Sequence, residues 1–571
     1  MSLTVLAIVV VVILTLGYTL YGRLIARQYA LDDRVVTPAV QVNDGVDFVP
    51  TKRFFLLGQH FSAIAAAGPI AGPILACQVF GWGPSILWIA LGVVFIGAVH
   101  DFSALVASVR HRARSVAEIV KENLGRRAWI AVLAFIWIAL VYLVIAFADI
   151  TAATFVGKTQ ELEGFSFNAG GAVAIASTTY LLLAIVMGII QRKWNPPLWL
   201  LTVVFVPATL GAVWLGTKLS TLLVFSQNTW AVTIMVYCFA ASLLPVWMLL
   251  QPRGYLGGFV LYLALAIGLV GIFFGGFDVK QPMVTAAPAL GMSGSMLPFL
   301  FVTIACGACS GFHGLVCSGT TSKQIEKESD CKPVGYGGML LEGFVALIAL
   351  ATIMIVAPEA SKGVGPGRIY GDGIAQFLTV IVGKDAFLFA ATFGAMAFST
   401  FVFDTLDVAT RLGRYILQEL SNAHGRLSAI VATAITAAVP AVVLVTAGPG
   451  GYRTFWTLFG TSNQLLAALT LLGVTVWLSR TGKRYWFTLA PMLFLLVVTL
   501  WSLAGQLMQF WRAGTSAKTG TLVVPQVANA AVSVLLFALT AFLLYEASKV
   551  FGKPKALAPA APTAKGETRA A

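Results

Sequence analysis

The chain has 571 residues, of which 58% are hydrophobic and 11% charged, with a formal net charge of +14. A soluble protein carries about 25% charged residues, so this composition excludes a soluble globular protein and indicates a polytopic membrane protein. The basic residues are spread over many loops, which excludes a nucleic-acid-binding patch and reads instead as a topology signal and a contact for anionic lipid.

Fifteen apolar stretches are long enough to cross a hydrocarbon core of about 30 Å. They lie near 3–20, 54–77, 86–109, 129–156, 170–190, 198–215, 229–250, 256–274, 296–316, 335–356, 386–403, 430–446, 455–478, 486–507 and 527–545. The first lacks the basic leader and small-residue cleavage site of a signal peptide. Arg23 and Arg27 follow it, so it reads as a retained helix with an outside N-terminus. Alternation from there puts most of the 37 Lys and Arg residues on the inside, as the positive-inside rule requires, and the C-terminus in the cytoplasm. Residues 1–551 are expected to form one transmembrane transporter domain, with its core over about 54–478. Residues 552–571 are Pro/Ala-rich and expected to be a disordered cytoplasmic tail.

The second stretch contains HFSAIAAAGPIAGPILACQVFGWGP, from His60 to Pro84. It carries two Gly-Pro steps, Gly68-Pro69 and Gly72-Pro73. Proline removes an amide and clashes with the preceding turn, so a broken helix is expected there. Lipid cannot satisfy the backbone groups a break frees, which makes the break a candidate binding site; the bland alternative is a packing kink. In the third stretch, His100 and Asp101 are candidates for a proton relay or for an interface anchor beside Arg110, His111 and Arg112. ARSVAEIVKENLG (113–125) carries Ser115 and Glu118 in capping-box spacing and predicts a short amphipathic surface helix. Asp149 falls near an outer end and suggests an entrance.

FVTIACGACSGFHGLVCSGTTS (301–322) predicts a second break, punctuated by Gly307, Gly311, Gly314 and Gly319. Two interrupted helices of opposite direction in separate halves point to an inverted-repeat secondary transporter, whose half-helix N-termini attract anions and whose freed carbonyls coordinate cations or amines. The candidate substrate residues are therefore His60, Gly68, Pro69, Gly72, Ser310, Gly311, His313 and Gly314. Cys306, Cys309, His313 and Cys317 share one helical face and could form a soft-metal site. A straight rod separates successive members by about 5 Å or more, so inert packing is the competing reading. A disulfide framework is not expected of the six cysteines.

Glu342 lies deep in apolar sequence and joins His100 and Asp101 as an ion-coupling candidate. Ser399 and Thr400 could hold Na⁺ or bond back to their own helix; Asp404 is a further ion-coupling candidate, the alternative being that Asp404 and Asp407 only cap an amphipathic helix over 403–420. GTSNQLLAAL (460–469) adds Asn463 and Gln464 as hydrogen-bonding groups for a substrate or between helices. No nucleotide-binding loop is present to support ATP drive, and no cofactor is expected beyond a coupling ion, H⁺ or Na⁺.

The runs HFSAIAAAGPIAGPILACQVFGWGPSILWIALGVVFIGAVHDF, LQPRGYL, CGACSGFHGLVCSGTTSKQI, AFSTFVFDTLDVATRLGRYILQE and LFGTSNQLLAAL closely resemble the carbon starvation protein A family, from about Gly58 to Leu478. The resemblance implies an inner-membrane importer of peptides or of small carboxylates such as pyruvate, linked to carbon starvation. It also implies kinship with the amino acid–polyamine–organocation transporters, hence a LeuT-like 5+5 inverted-repeat core with extra helices, in which Ser399 and Thr400 match a Na⁺-binding hydroxyl pair. The chain departs from many members at His100 and Gly254. The rival functions are an intramembrane metal or thiol enzyme built on the Cys/His set, and a nutrient sensor that binds without translocating.

Overall fold

A computed structural model describes residues 2–554 apart from 46, 66, 163–164, 286–295, 449 and 516–523; residues 555–571, most of the expected tail, lie outside the described residues. In chain order the principal helices are α1 (Leu3–Tyr29), α2 (Arg53–Ile64), α3 (Gly68–Phe80), α4 (Trp82–Arg110), α5 (Val116–Leu124), α6 (Arg126–Thr154), α7 (Ala169–Trp194), α8 (Leu198–Lys218), α9 (Gln227–Leu243) and α10 (Leu250–Phe274). They continue as α11 (Met296–Thr303), α12 (Gly311–Gly319), α13 (Glu328–Met354), α14 (Pro366–Val382), α15 (Phe387–Ser421), α16 (Arg426–Ala447), α17 (Tyr452–Arg480), α18 (Trp486–Thr515) and α19 (Val524–Val550).

Among the described residues, twelve helices are long and apolar enough to cross a membrane, or thirteen if α2 and α3, bent by 48°, count as one span. The expected number of fifteen is corrected accordingly. Each of the fifteen apolar stretches carries helix, but α9 has only 17 residues. The 296–316 stretch is divided between the short α11 and α12. The described residues are mostly helical, as expected of an all-α chain, with one small exception. A small antiparallel hairpin, β1 (Thr159–Leu162) with β2 (Phe165–Asn168), joins α6 to α7.

Two further expectations change. The amphipathic segment 403–420 is not a separate helix: it continues the span as α15, 35 residues and about 52 Å long. Asp404 and Asp407 therefore do not cap a helix there; both lie within α15 and pair with Arg253 of α10. Helix α14 falls where no span was expected, because Gly367, Gly371 and Gly373 interrupt the apolar pattern. In the fold these glycines let α14 lie close on its neighbours; a Cβ at Gly371 would sit 3.0 Å from the Ala391 carbonyl oxygen of α15. The predicted surface helix is present as α5, with the Glu118 N–H donating to Ser115 Oγ at 3.3 Å.

The helices form an interior group and a periphery. Helices α4, α6, α13 and α17 are mostly buried, whereas α1, α8, α16 and α19 leave most of their apolar surface exposed. Side chains such as Val5, Ile8, Val9 and Val12 on α1 face outward, as lipid-facing positions do when lipid is the solvent. Three wide π-turns, Gly17–Tyr21, Val93–Gly97 and Lys332–Tyr336, interrupt α1, α4 and α13. Tyr336 links them: its hydroxyl lies 2.9 Å from the Val94 carbonyl and 3.3 Å from that of Gly17. Such turns leave carbonyls poorly matched within the helix, and the phenol supplies a donor.

Candidate functional site

Both interruptions expected from the sequence are present. Helix α2 ends at Ala65, whose ψ of 59° leaves the helical region, and α3 restarts at Gly68 with Pro69 in its first turn, the one place where a missing amide costs nothing. The second Gly-Pro step does not break the rod: Pro73 lies inside α3. Its glycine has another use. A Cβ on Gly72 would sit 2.8 Å from the Thr303 carbonyl oxygen, so there the two broken rods pack main chain against main chain, and one on Gly68 would overlap the Cys306 side chain. Pro69 also borders the second rod, 3.5 Å from the Cβ position of Gly307.

The polar groups bared at the second break are engaged by neighbouring side chains. Asn463 of α17 stands at the start of α12: its Oδ1 accepts from the Phe312 N–H at 3.0 Å, and its Nδ2 donates to Ser310 Oγ at 3.0 Å. Ser310 is the cap residue, yet its own hydroxyl makes no capping bond; Asn463 fills that role from another helix. Gln464 Nε2 donates to the Phe301 carbonyl at 2.8 Å and Trp456 Nε1 to that of Thr303 at 3.0 Å. Gly311 is pressed against α17, its Cβ position 2.4 Å from the Asn463 carbonyl oxygen. The polar run in α17 thus holds the broken backbone.

Beside the breaks runs a chain of titratable groups. His100 Nδ1 lies 2.7 Å from Asp101 Oδ1, and Asp101 Oδ2 lies 2.9 Å from His313 Nδ1. His313 Nε2 lies 3.1 Å from Glu342 Oε2, within ion-pair range though not aligned as a hydrogen bond. All four side chains are at most 1% exposed. They come from three elements: His100 and Asp101 from α4, just after its π-turn, His313 from the second broken rod, and Glu342 from α13. Gly314 packs on the His100 ring, with its Cβ position 3.3 Å from Nε2. His60 of α2 is also buried, with Nδ1 2.9 Å from Thr321 Oγ1 and Nε2 unpaired. With Asp101 and Cys317 it forms a group whose ligand atoms lie within 4.8 Å of one another.

The Cys/His set weighed against inert packing in the sequence does not form such a group. Among the described residues, Cys306, Cys309, His313 and Cys317 do not converge. All six cysteines are free and buried; the Cys306 thiol accepts from Asn463 Nδ2 at 3.3 Å, and His313 is occupied by carboxylates. Asp149, read as marking an entrance, is buried and accepts from Gln227 Nε2 at 2.6 Å.

A second buried charged group lies against the other residues of the first break. The Arg253 guanidinium pairs with Asp404 and Asp407, and its Nη1 also donates to the Phe403 carbonyl at 2.9 Å. Tyr237 donates to Asp407 Oδ2 at 2.8 Å. A cavity of about 10 Å³, the size of one water, lies between Ser62, Ala65, Arg253, Thr400 and Asp404. Thr400 Oγ1 has no partner, while Ser399 Oγ bonds back to the Met396 carbonyl at 2.9 Å and to Ser177 Oγ at 2.6 Å. Sequence reasoning missed Arg253 as a site residue, since it reads as a loop cation after an apolar stretch. The available signal was the pair of acids, Asp404 and Asp407, one turn apart on an apolar helix: buried acids require a cation.

The family model described as carbon starvation protein CstA matches residues 2–365 and 359–502. The chain belongs to this family. The peptide transporter CstA of Campylobacter jejuni is 34% identical over 572 residues, covering 87% of this chain and 79% of that protein. The peptide transporter CstA of Bacillus subtilis is 32% identical, covering 90% of this chain and 92% of its own length. The pyruvate/proton symporter BtsT of Escherichia coli, 30% identical, covers 85% of this chain and 79% of its own length. Family membership and the apolar helices together make this a multi-pass membrane protein of a transporter family. Among solved structures, a manganese transporter of Eremococcus coleocola, in complex with an aromatic bis-isothiourea substituted compound, aligns at 15% identity with a TM-score of 0.44. It covers 88% of this chain and 97% of that one, an overlap that carries no argument here.

Proposed function

We propose that the protein is a proton-driven secondary importer of small carboxylates or peptides in the bacterial inner membrane, used under carbon starvation. The observation that carries this is the His100–Asp101–His313–Glu342 chain. It is built entirely from groups that exchange protons, with no arginine or lysine among them, and it touches the second broken rod at His313. When both carboxylates are ionised, charge balance in so dry a site requires two protons on the surrounding histidines. Gain or loss of one proton therefore changes how strongly α4, α12 and α13 hold each other, which is the coupling a symporter needs. The relative named as a pyruvate/proton symporter supports the ion, and those named as peptide transporters support the alternative cargo.

On this reading Gly68, Pro69, Gly72, Ser310, Gly311, Gly314, Asn463 and Gln464 flank the cargo path, and His60 faces it. Their backbone groups exchange side-chain partners for substrate as the rods separate. The core follows a LeuT-like 5+5 inverted repeat over about 54–478, within one transmembrane domain, with an outside N-terminus and an inside C-terminus. Protons are preferred to Na⁺ because Thr400 shares its small cavity with a fixed guanidinium, while the Ser399 hydroxyl is taken up by Ser177 and its own helix. Arg253 supplies the positive charge that a bound Na⁺ would otherwise bring. The test is uptake of labelled pyruvate and trialanine into proteoliposomes, with proton and sodium gradients imposed separately. A proton gradient alone is expected to drive accumulation of at least one of them. Accumulation that follows the sodium gradient and ignores pH overturns the reading.

A further inference from the structure

A cavity of about 840 Å³ opens where α6 ends and α7, α14, α15 and α17 begin, beside the β1–β2 hairpin. In the orientation proposed above, the end of α6 and the starts of α7, α15 and α17 fall on the outer side, and α14 packs antiparallel along α15 so that its first turns also reach the cavity. Lys158, ahead of β1, Arg368, in the first turn of α14, and Arg453, in the first turn of α17, line it against a single acid, Asp372. Arg368 Nε pairs with Asp372 Oδ2 at 3.1 Å, and Arg453 Nη2 donates to the Gly363 carbonyl at 3.2 Å. Lys158 has no ion-pair partner among the described residues. Ile150, Val173, Phe387 and Leu388 supply apolar wall. Basic residues are disfavoured on the outer side, so three of them converging on one cavity from distant parts of the chain require a use.

The cavity is aligned with the broken rods. Ile150, Ala153 and Thr154 of α6 form part of its lining. One turn deeper, about 4.5 Å along the same helix, Phe147 stacks on Trp456 with ring centroids 5.9 Å apart and also meets Phe459 edge-on. Phe147 lies 3.8 Å from the Cβ position of Gly68. An aromatic layer one turn thick thus separates a positively charged, amphiphilic cavity from the first break.

We propose that this cavity is an outer receiving site that captures the carboxylate end of a small organic acid or peptide before the aromatic layer opens. The proposal rests on the importer reading for its direction, and its test does not need transport. In nanodiscs, a cysteine introduced as Gln160→Cys, in the cavity lining, is labelled with anionic sulfonatoethyl or cationic trimethylammonioethyl methanethiosulfonate. Ala360→Cys, exposed and outside the lining, serves as the control, and the native cysteines are buried. The anionic-to-cationic rate ratio is expected to be on the order of tenfold higher at Gln160→Cys than at the control, and to fall when Lys158→Gln is added. Pyruvate or trialanine is expected to slow labelling, and trialanine amide to leave it unchanged. Equal ratios at the two positions, or no protection by either carboxylate, overturns the proposal. Protection without proteoliposome uptake of either compound leaves the receiving site standing and removes the importer reading; uptake without protection does the reverse.

Discussion

The His100–Asp101–His313–Glu342 chain and the Arg253–Asp404–Asp407 group both border the first broken rod, and they balance charge in opposite ways. The first contains only groups that gain and lose protons. The second is built around a guanidinium that stays charged at any physiological pH, held by two acids and a tyrosine. A buried group whose charge is variable suits coupling to an ion gradient. One whose charge is fixed suits clamping two helices, here α10 and α15, in one register. The same protein thus keeps a switch and a rivet within reach of one helix.

The sharpest way to break this comparison is Asp101→Asn. It removes the carboxylate that bridges two histidines, and it is expected to abolish proton-driven uptake while leaving a folded protein. Asp404→Asn, in the other group, is expected to retain such uptake. If the two variants behave alike in the liposome assay, the division between the groups is wrong.

The next largest effect tests the rivet. Arg253→Met leaves two acids without their cation, and removing one partner of a buried pair costs about 3–5 kcal/mol; a lowered melting temperature in detergent measures it. Within that group Asp407→Asn is expected to destabilise more than Asp404→Asn, because the Asp407 side chain is 3% exposed and that of Asp404 32%. The opposite order would locate the clamp elsewhere.

Two smaller effects sharpen the role of backbone satisfaction. Asn463→Ala removes the external cap of α12 and is expected to cost about 1–2 kcal/mol, read by the same thermal assay. Asn463→Asp, which keeps an acceptor for the Phe312 N–H, is expected to recover part of it. Tyr336→Phe deletes the hydroxyl between the π-turns, at about 1 kcal/mol. A loss of several kcal/mol in that variant would mean that the three π-turns act as one unit.

Much of the helix inventory was legible because lipid leaves so few options. A long apolar run must close its own hydrogen bonds, so each of the fifteen stretches carries helix, and Ser115 with Glu118 marked the start of α5. Helix α14 was not legible, since its glycines, which make close packing on α15 possible, look like loop residues in one dimension. His100, Asp101, His313 and Glu342 stood out individually as ionisable residues in apolar sequence, but nothing in their spacing joined them. Asn463 and Gln464 stood out as polar, and it is the fold that aims them at the second break. Arg253 was hidden by its position next to a helix end.

The sequence by itself determined a multi-spanning membrane protein with two interrupted rods, since hydropathy and Gly-Pro chemistry act locally and lipid enforces them. Only the tertiary structure decided which polar groups meet: a proton-exchanging chain across α4, α12 and α13, and a guanidinium held by α15. The reason is physical. A charge buried away from water persists only with partners close at hand, and those partners lie up to 212 residues distant along the chain, brought within bonding distance by packing that no local pattern encodes.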